Sequence, residues 1–238
     1  LFSDLLETFN SLIRENYVQE LEKKETELQN LQLQINPHFL YNTLETISSI
    51  AAVRQTFAVC ELCGRLGEIF RYSLEKDYGE FVTVEQELHH VENYVYIQKV
   101  RYGDKFEVFY HVEPEVRQCL ILRFILQPVV ENAILHGIAP MTGCGTLEIT
   151  VERREETLCV RVEDDGVGMD SMKKAELEEY INGPESSSGE QGKGSIGVRN
   201  VHRRIRLACG EQYGVTIESE PYRGSSFLIT FPLRRRED

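Results

Sequence analysis

The sequence predicts an α+β chain of 238 residues, with a helical first third followed by helices laid on one face of a mixed sheet. Three observations carry that expectation. From Phe2 to Glu75 there is one proline, Pro37, and two glycines, Gly64 and Gly67, while apolar residues recur at helical spacing. After Gly103-Asp104 the period switches to alternation, as in Phe106, Val108 and Tyr110. Beyond that point, stretches rich in β-branched and apolar residues at 146–152, 158–163, 214–219 and 226–231 read as strands.

Leu5, Phe9, Leu12, Val18, Leu21, Leu28, Leu31 and Ile35 form a narrow apolar seam through an otherwise charged segment. A helix so polar has little on its own domain to bury that seam against, so residues 1–34 read as a coiled coil rather than a solvated connector. The texture then becomes densely apolar at Phe39, Leu40, Leu44, Ile47, Ile50 and Val53, and again at Leu62, Leu66, Ile69, Phe70 and Leu74. Two antiparallel helices of this kind, doubled by a second chain, make a four-helix bundle, so residues 35–103 read as a dimerisation domain. Asp77-Tyr78-Gly79-Glu80 is a turn, and Thr83-Val84-Glu85-Gln86 is a capping box opening a third helix through about Val100. Residues 104–238 form the second domain: a first strand, a break at Glu113-Pro114-Glu115, a helix over 120–135, the four strands, and one more helix near 198–209. Residues 183–197, rich in Gly and Ser, read as a long functional loop.

The net charge of −13 makes the chain a poor nonspecific ligand for nucleic acid, which needs a cationic surface. A nucleotide could still bind locally through Mg²⁺ and backbone amides. No apolar run approaches the ~18 residues that span a bilayer. The chain starts at Leu1 with no signal-peptide pattern, and reads as a piece of something longer. Six cysteines sit at 60, 63, 119, 144, 159 and 209. Cys60 and Cys63 lack a second pair at zinc spacing and read as small apolar residues on a helix, kept reduced.

Five constellations can carry chemistry. In Asn36-Pro37-His38-Phe39-Leu40-Tyr41-Asn42, His38 and Asn42 share a helix face. A neutral imidazole is a good nitrogen nucleophile near neutral pH, and Asn42 could hydrogen-bond a phosphoryl group or a water. Pro37 should kink the helix. By itself the segment is equally an Asn36-Pro37 cap beside a surface histidine. In Gln127 to Gly137, Glu131 and Asn132 are polar residues in an apolar helix. Asn132 offers a neutral oxygen to Mg²⁺, and His136, one turn on, could meet a phosphate. The same residues suit a helix C-terminus, with Gly137 at C′. In Asp164-Asp165-Gly166-Val167-Gly168, Asp164 at a strand end can accept a hydrogen bond from an exocyclic amine such as adenine N6, while Gly166 and Gly168 admit a flat ring. An ordinary acidic turn reads the same way. Lys193, Gly194, Gly197 and Asn200 belong to a Gly-rich passage into a helix, the general phosphate cradle. Gly224-Ser225 at the start of the last strand is the weakest of the five.

As an ordered set these segments resemble the sensor histidine kinases of the LytS type. Residues 36–44 look like the phosphoacceptor signature of that family, 126–138 like its N box, 164–168 like G1, 194–200 like G2, and 224–225 like the final Gly-Ser element. The resemblance covers about residues 30 to 233. It implies an ATP-binding sandwich of the GHKL (gyrase, Hsp90, kinase, MutL) type behind a dimerising helical domain that holds the phosphoacceptor histidine. It implies ATP and Mg²⁺ as cofactors, Mg²⁺ being held by Asn132. It further implies that His38 is phosphorylated and passes the group to an aspartate of a response regulator. The chain would then be the cytoplasmic portion of a homodimeric bacterial membrane protein whose sensor region lies upstream. The G1 segment departs from the family at Asp165, where Asn is usual, and an extra carboxylate there could weaken phosphate binding or recruit cation. Phe39 follows His38 where other histidine kinases carry an acid, so the general base is open, with Glu45 a candidate. A GHKL ATPase in which Glu131 activates water, or a degenerate kinase serving as a dimeric scaffold, are the rival expectations.

Overall fold

The computed structural model describes residues 37–74, 79–183 and 193–235. The coiled coil expected over 1–34, any kink ahead of Pro37, part of the turn at 77–80 and most of the loop 183–197 lie outside the described residues. Contacts divide the chain between Cys63 and Gly64.

In the first unit α1 runs Pro37–Val53, and α2 starts at Phe57 and continues to Leu74 in the second. The turn between them closes as helices usually close. Gln55 takes the left-handed conformation, φ 55°, and the Thr56 N–H donates to the Ala51 carbonyl at 2.9 Å. The Cys60 thiol donates to the Ser48 carbonyl across the hairpin. The pair leaves a row of large apolar side chains in solvent: Phe39, Ile47, Ile50, Val53 and Phe57 are all exposed.

The second unit opens with β1, Phe81–Thr83, and α3, Val84–Tyr102. The capping box is present. Thr83 Oγ1 accepts from the Gln86 N–H at 3.2 Å, and Gln86 Oε1 accepts from the Thr83 N–H at 2.9 Å. Then come β2, Phe106–Val112; β3, Leu120–Leu122; α4, Leu126–Asn132; and a π-helical segment, Ala133–Ile138. They are followed by β4, Gly145–Arg154; β5, Thr157–Asp164; α5, Ser171–Asn182; α6, Lys193–Cys209; β6, Gly214–Glu220; and β7, Gly224–Pro232. The main sheet has the order β2-β4-β5-β7-β6, with β2 parallel to β4 and every other pair antiparallel. It is the mixed sheet of an α+β domain, as the alternation implied. Leu147, Ile149 and Val151 of β4, Leu158, Val160 and Val162 of β5, and Phe227, Ile229 and Phe231 of β7 are buried. They alternate with residues that retain exposure, and the π segment, α5 and α6 pack on the sheet.

Three expectations need correction. Residues 120–135 are not one helix. Leu120–Leu122 pair with β1, Leu122 opposite Phe81, so their backbone groups belong to a ladder. The helix starts only at Leu126, because a carboxylate on α3 takes the amides just before it. Second, the passage ahead of residue 183, where the sequence suggests no helix, contains α5. Asp170 caps it, Oδ1 accepting from the Lys173 N–H at 2.7 Å, a cap with little apolar pattern behind it to betray the helix. Third, α6 begins at Lys193, ahead of the position near 198 where its apolar periodicity becomes visible.

No helix among the described residues is long and apolar enough to cross a membrane. Gly224 holds φ +90°, and a Cβ there would overlap the Asp164 carbonyl on the neighbouring strand. Gly224→Ala should therefore destabilise the fold by on the order of 3 kcal/mol in urea denaturation.

Candidate functional site

Asp164 ends the buried row of β5, in phase with Leu158, Val160 and Val162. A strand period thus carries a carboxyl group into an apolar file. Burial is the main reason its pKa rises to about 7, and the neighbouring Asp165 charge adds to it. Backbone N–H groups of Gly166, at 2.9 Å from Oδ1, and of Ser225 oppose the shift.

The π segment comes to meet this carboxyl. Its widened turn is marked by the Ala139 N–H donating to Ile134 O, five residues back, at 2.8 Å. Gly137 lies so close to Asp164 that a Cβ would collide with the carboxyl oxygen, and a Cβ on Gly166 would collide with the Gly137 backbone. The Val167 N–H donates to the Gly137 carbonyl at 2.9 Å. Two glycines and a buried carboxyl therefore share a surface with no side chain between them. Asn132 stands where α4 passes into the π segment, half-buried, with its side chain making no cap bond. His136 is exposed beside Gly137. Glu131, half-buried one residue earlier, acts on Tyr94 of α3, whose phenol burial above all holds in its neutral form.

Asp165 is less anomalous than its sequence suggests. Its Oδ1 accepts from the Thr146 N–H at 2.6 Å, and its own N–H donates to Thr146 O at 3.2 Å, so the side chain stitches the turn to β4. An Asn would supply the same acceptor oxygen; the charge is the difference, and it falls on Asp164.

Gly168, at φ +62°, abuts the Glu220 carbonyl at the end of β6. Ser225 sits opposite Asp164 on β7, its hydroxyl 3.0 Å from that of Ser219, and Ser219 Oγ also accepts from the Met169 N–H at 2.8 Å. A pocket of about 310 Å³ opens at this end of the sheet, lined by Asp164, Ser219 and Ser225 among others. Gly197 packs α6 onto α4, where a Cβ would lie 3.3 Å from Pro128 Cβ. Asn200 is exposed on α6. The backbone of Lys193 and Gly194 lies in the first described turn of that helix. Arg199 of α6 is buried, with its guanidinium 4.3 Å over the Tyr180 ring of α5 and donating to Gly183 O.

His38 and Asn42 are in the first unit, both exposed on α1. The Asn42 Nδ2 lies 3.2 Å from His38 Nδ1. Sequence reasoning missed the roles of Ser219, Arg199 and Glu87. Ser219 could be found only through the β6–β7 register, and Arg199 only through α5.

Family comparisons agree with these segments. The family described as histidine kinase matches residues 26–106, and that described as histidine kinase-, DNA gyrase B-, and HSP90-like ATPase matches residues 119–235. The chain is 37% identical over 233 residues to the sensor histidine kinase YesM of Bacillus subtilis, covering 98% of this chain and 38% of that protein. It is 34% identical over 209 residues to the sensor histidine kinase YpdA of Escherichia coli K12, covering 88% of this chain and 35% of that protein. It is 31% identical over 196 residues to the sensor protein LytS of Staphylococcus haemolyticus, covering 82% of this chain and 32% of that protein. The chain thus spans about a third of the length of the curated relatives it matches. With a matched histidine-kinase region ahead of a matched ATPase sheet in which Asp164 and Gly137 meet, the chain belongs to the sensor histidine kinases of the LytS type.

Proposed function

We propose that this chain is the phosphoacceptor and ATP-binding portion of a two-component sensor kinase, phosphorylating His38 from ATP and passing the phosphoryl group to an aspartate of a response regulator. The observation that carries the reading is the buried Asp164 carboxyl, pressed against Gly137 and Gly166 where no side chain intervenes. A flat base with an exocyclic amine suits such a surface, the amine donating to Asp164.

The domain division we propose is a coiled coil over 1–34, a dimerisation and phosphoacceptor domain over 35–103 and an ATP-binding domain over 104–238. The exposed apolar row on α1 and α2 supports a homodimer, since a monomer would leave it wet. We read the whole protein as a bacterial membrane protein with this portion on the cytoplasmic side, a reading supported by its likeness to sensor kinases.

His38 supplies a ring nitrogen that bonds to the γ-phosphorus as the bond to the bridging oxygen breaks and ADP leaves. The ring proton passes to solvent or to a base such as Glu45. As placed, Asn42 donates to Nδ1, which leaves the ring proton on Nε2. With its amide turned over, Oδ1 accepts from Nδ1–H and the lone pair lies on Nε2, the attacking atom, so Asn42 can select the tautomer. The α6 N-terminus, around Gly194 and Gly197, supports phosphate binding through its amides. Mg²⁺ fits this chain as an ion held by one hard neutral oxygen, that of Asn132, together with phosphates and water. Among the described residues no carboxylate, histidine and cysteine group forms a cage for it. When bound, it would neutralise phosphate charge. Asp165 keeps the bond to the Thr146 N–H that an Asn oxygen would also make, so the departure from Asn leaves the turn intact and lends little support to a degenerate scaffold.

His38→Ala should abolish incorporation of radiolabelled phosphate from ATP, and the wild-type label should be lost in acid and kept in base. An unlabelled wild-type chain, with phosphate released to water at an undiminished rate by His38→Ala, would point to the ATPase reading with Glu131, and an acid-stable label would put the phosphate on a hydroxyl side chain instead of His38.

Asn132→Ala should remove Mg²⁺-dependent binding of an ATP analogue in calorimetry, with the circular dichroism spectrum unchanged. Unchanged affinity and Mg²⁺ requirement would move the metal elsewhere.

The raised pKa of Asp164 fixes two opposite pH dependences. Its folded value lies above its unfolded one, so its contribution to stability is full below the ordinary carboxylate range and is lost as pH rises through about 7. Ionised, the same group is the better acceptor for an amine. Affinity for an ATP analogue should therefore strengthen about tenfold between pH 6 and pH 8, while the urea stability of the unliganded chain falls. Asp165→Asn should move both midpoints to lower pH, and unmoved midpoints would remove Asp164 from the adenine contact.

A further inference from the structure

Glu87 lies on α3 with no exposed surface, where a charge persists only with partners. Its carboxylate has four donors. The N–H groups of Ile125 and Leu126 donate to Oε1 at 2.8 and 3.0 Å, the N–H of Phe124 donates to Oε2 at 3.1 Å, and the Tyr72 hydroxyl donates to Oε2. Those amides begin α4, whose N-cap residue, Ile125, makes no side-chain cap of its own. Glu87 therefore caps α4 from another helix, satisfying its orphan donors and setting negative charge at the positive end of the dipole.

Tyr72 reaches this carboxylate from α2. Its ring stacks on His90 at 4.3 Å and meets Phe124 edge-on at 5.2 Å, with the Arg123 guanidinium 4.8 Å over it. Two turns earlier, Arg65 of α2 donates to Asn93 of α3 at 2.9 Å and lies over Tyr96. The second half of α2 is thus registered on α3 by two polar anchors, and one of them is shared with the start of α4. Arg204 of α6 donates to the Arg123 carbonyl at 2.8 Å, so the helix beyond the Gly-rich passage ends at the same knot.

We infer that Tyr72 and Glu87 are positioning residues for the nucleotide site: the Tyr72 hydroxyl on α2 sets the carboxylate that starts α4, and so ties the placement of Asn132, at the far end of α4, to the placement of α2. Displacing α2 withdraws one donor from a buried charge, and the carboxylate can recover it only by releasing or dragging the amides of α4. Since α2 runs unbroken from Phe57, the hairpin helix itself carries the hydroxyl. This rests on the reading that α4 carries part of the nucleotide site.

Tyr72→Phe in the full chain keeps the ring and removes only the donor. KM for ATP in His38 phosphorylation should rise about tenfold, the scale of losing a hydrogen bond to a charged group, while the rate at saturating ATP stays within about twofold. Amide exchange at 124–126 without nucleotide should speed up, with β4 and β5 unchanged. In a Glu87→Gln background, Tyr72→Phe should add nothing to KM, because the hydroxyl acts through that carboxylate. An unchanged KM, a lowered rate at unchanged KM, or additive effects of the two substitutions would each overturn the proposal. If wild-type chain incorporates no phosphate, the kinase reading fails by itself. The affinity of a fluorescent ATP analogue then replaces KM, with the same outcomes deciding.

Discussion

The carboxylate of Glu87 receives three backbone N–H groups from the start of α4 and the phenol of Tyr72, and the rest of the second unit is arranged around that requirement. A helix of seven residues is too short to hold itself in water, so α4 depends on what it is anchored to. Glu87 fixes where it starts and its buried face against the core fixes its roll. The segment that follows then has only to widen by one π turn to bring Gly137 against Asp164. Moving the carboxylate would strand a buried charge, and that cost is what gives the anchor its rigidity.

Asp164 is the second constraint, and it has the opposite character. Glu87 is a charge made tolerable by four donors. Asp164 has fewer and sits at the end of an apolar row, so its ionised form is held at a disadvantage. Such a group is poised for a ligand that brings a donor of its own. The glycines beside it belong to the same economy of space: every side chain that would cover the carboxyl is absent, on the π segment and on the turn after β5 alike.

Much of this was legible in the residues themselves. The Thr83 capping box formed as written, the alternation of Phe106, Val108 and Tyr110 placed the inward face of β2, and the polar Asn132 in an apolar helix marked the element that meets Asp164. The errors were equally instructive. LILRFIL over 120–126 is apolar enough for a helix, but β1 claims Leu120–Leu122 and Glu87 claims the next amides, and neither partner is local in sequence. Helix α5 was missed because its apolar face is only Leu177 and Ile181, so its burial, not its pattern, makes it.

The sequence by itself determined the α+β order, the periodicities, and which residue types could bind a nucleotide or act as a nucleophile, because these depend on neighbours within a turn or a strand. The tertiary structure alone decided that a glutamate on α3 caps α4, that Gly137 and Gly166 meet over Asp164, and that Ser219 joins Ser225. Those contacts link residues from 6 to 39 positions apart, and their energies come from burial and from pairing of groups that no local pattern brings together. A short-range code specifies what each segment can be; the desolvation of a few charged groups selects which segments must touch.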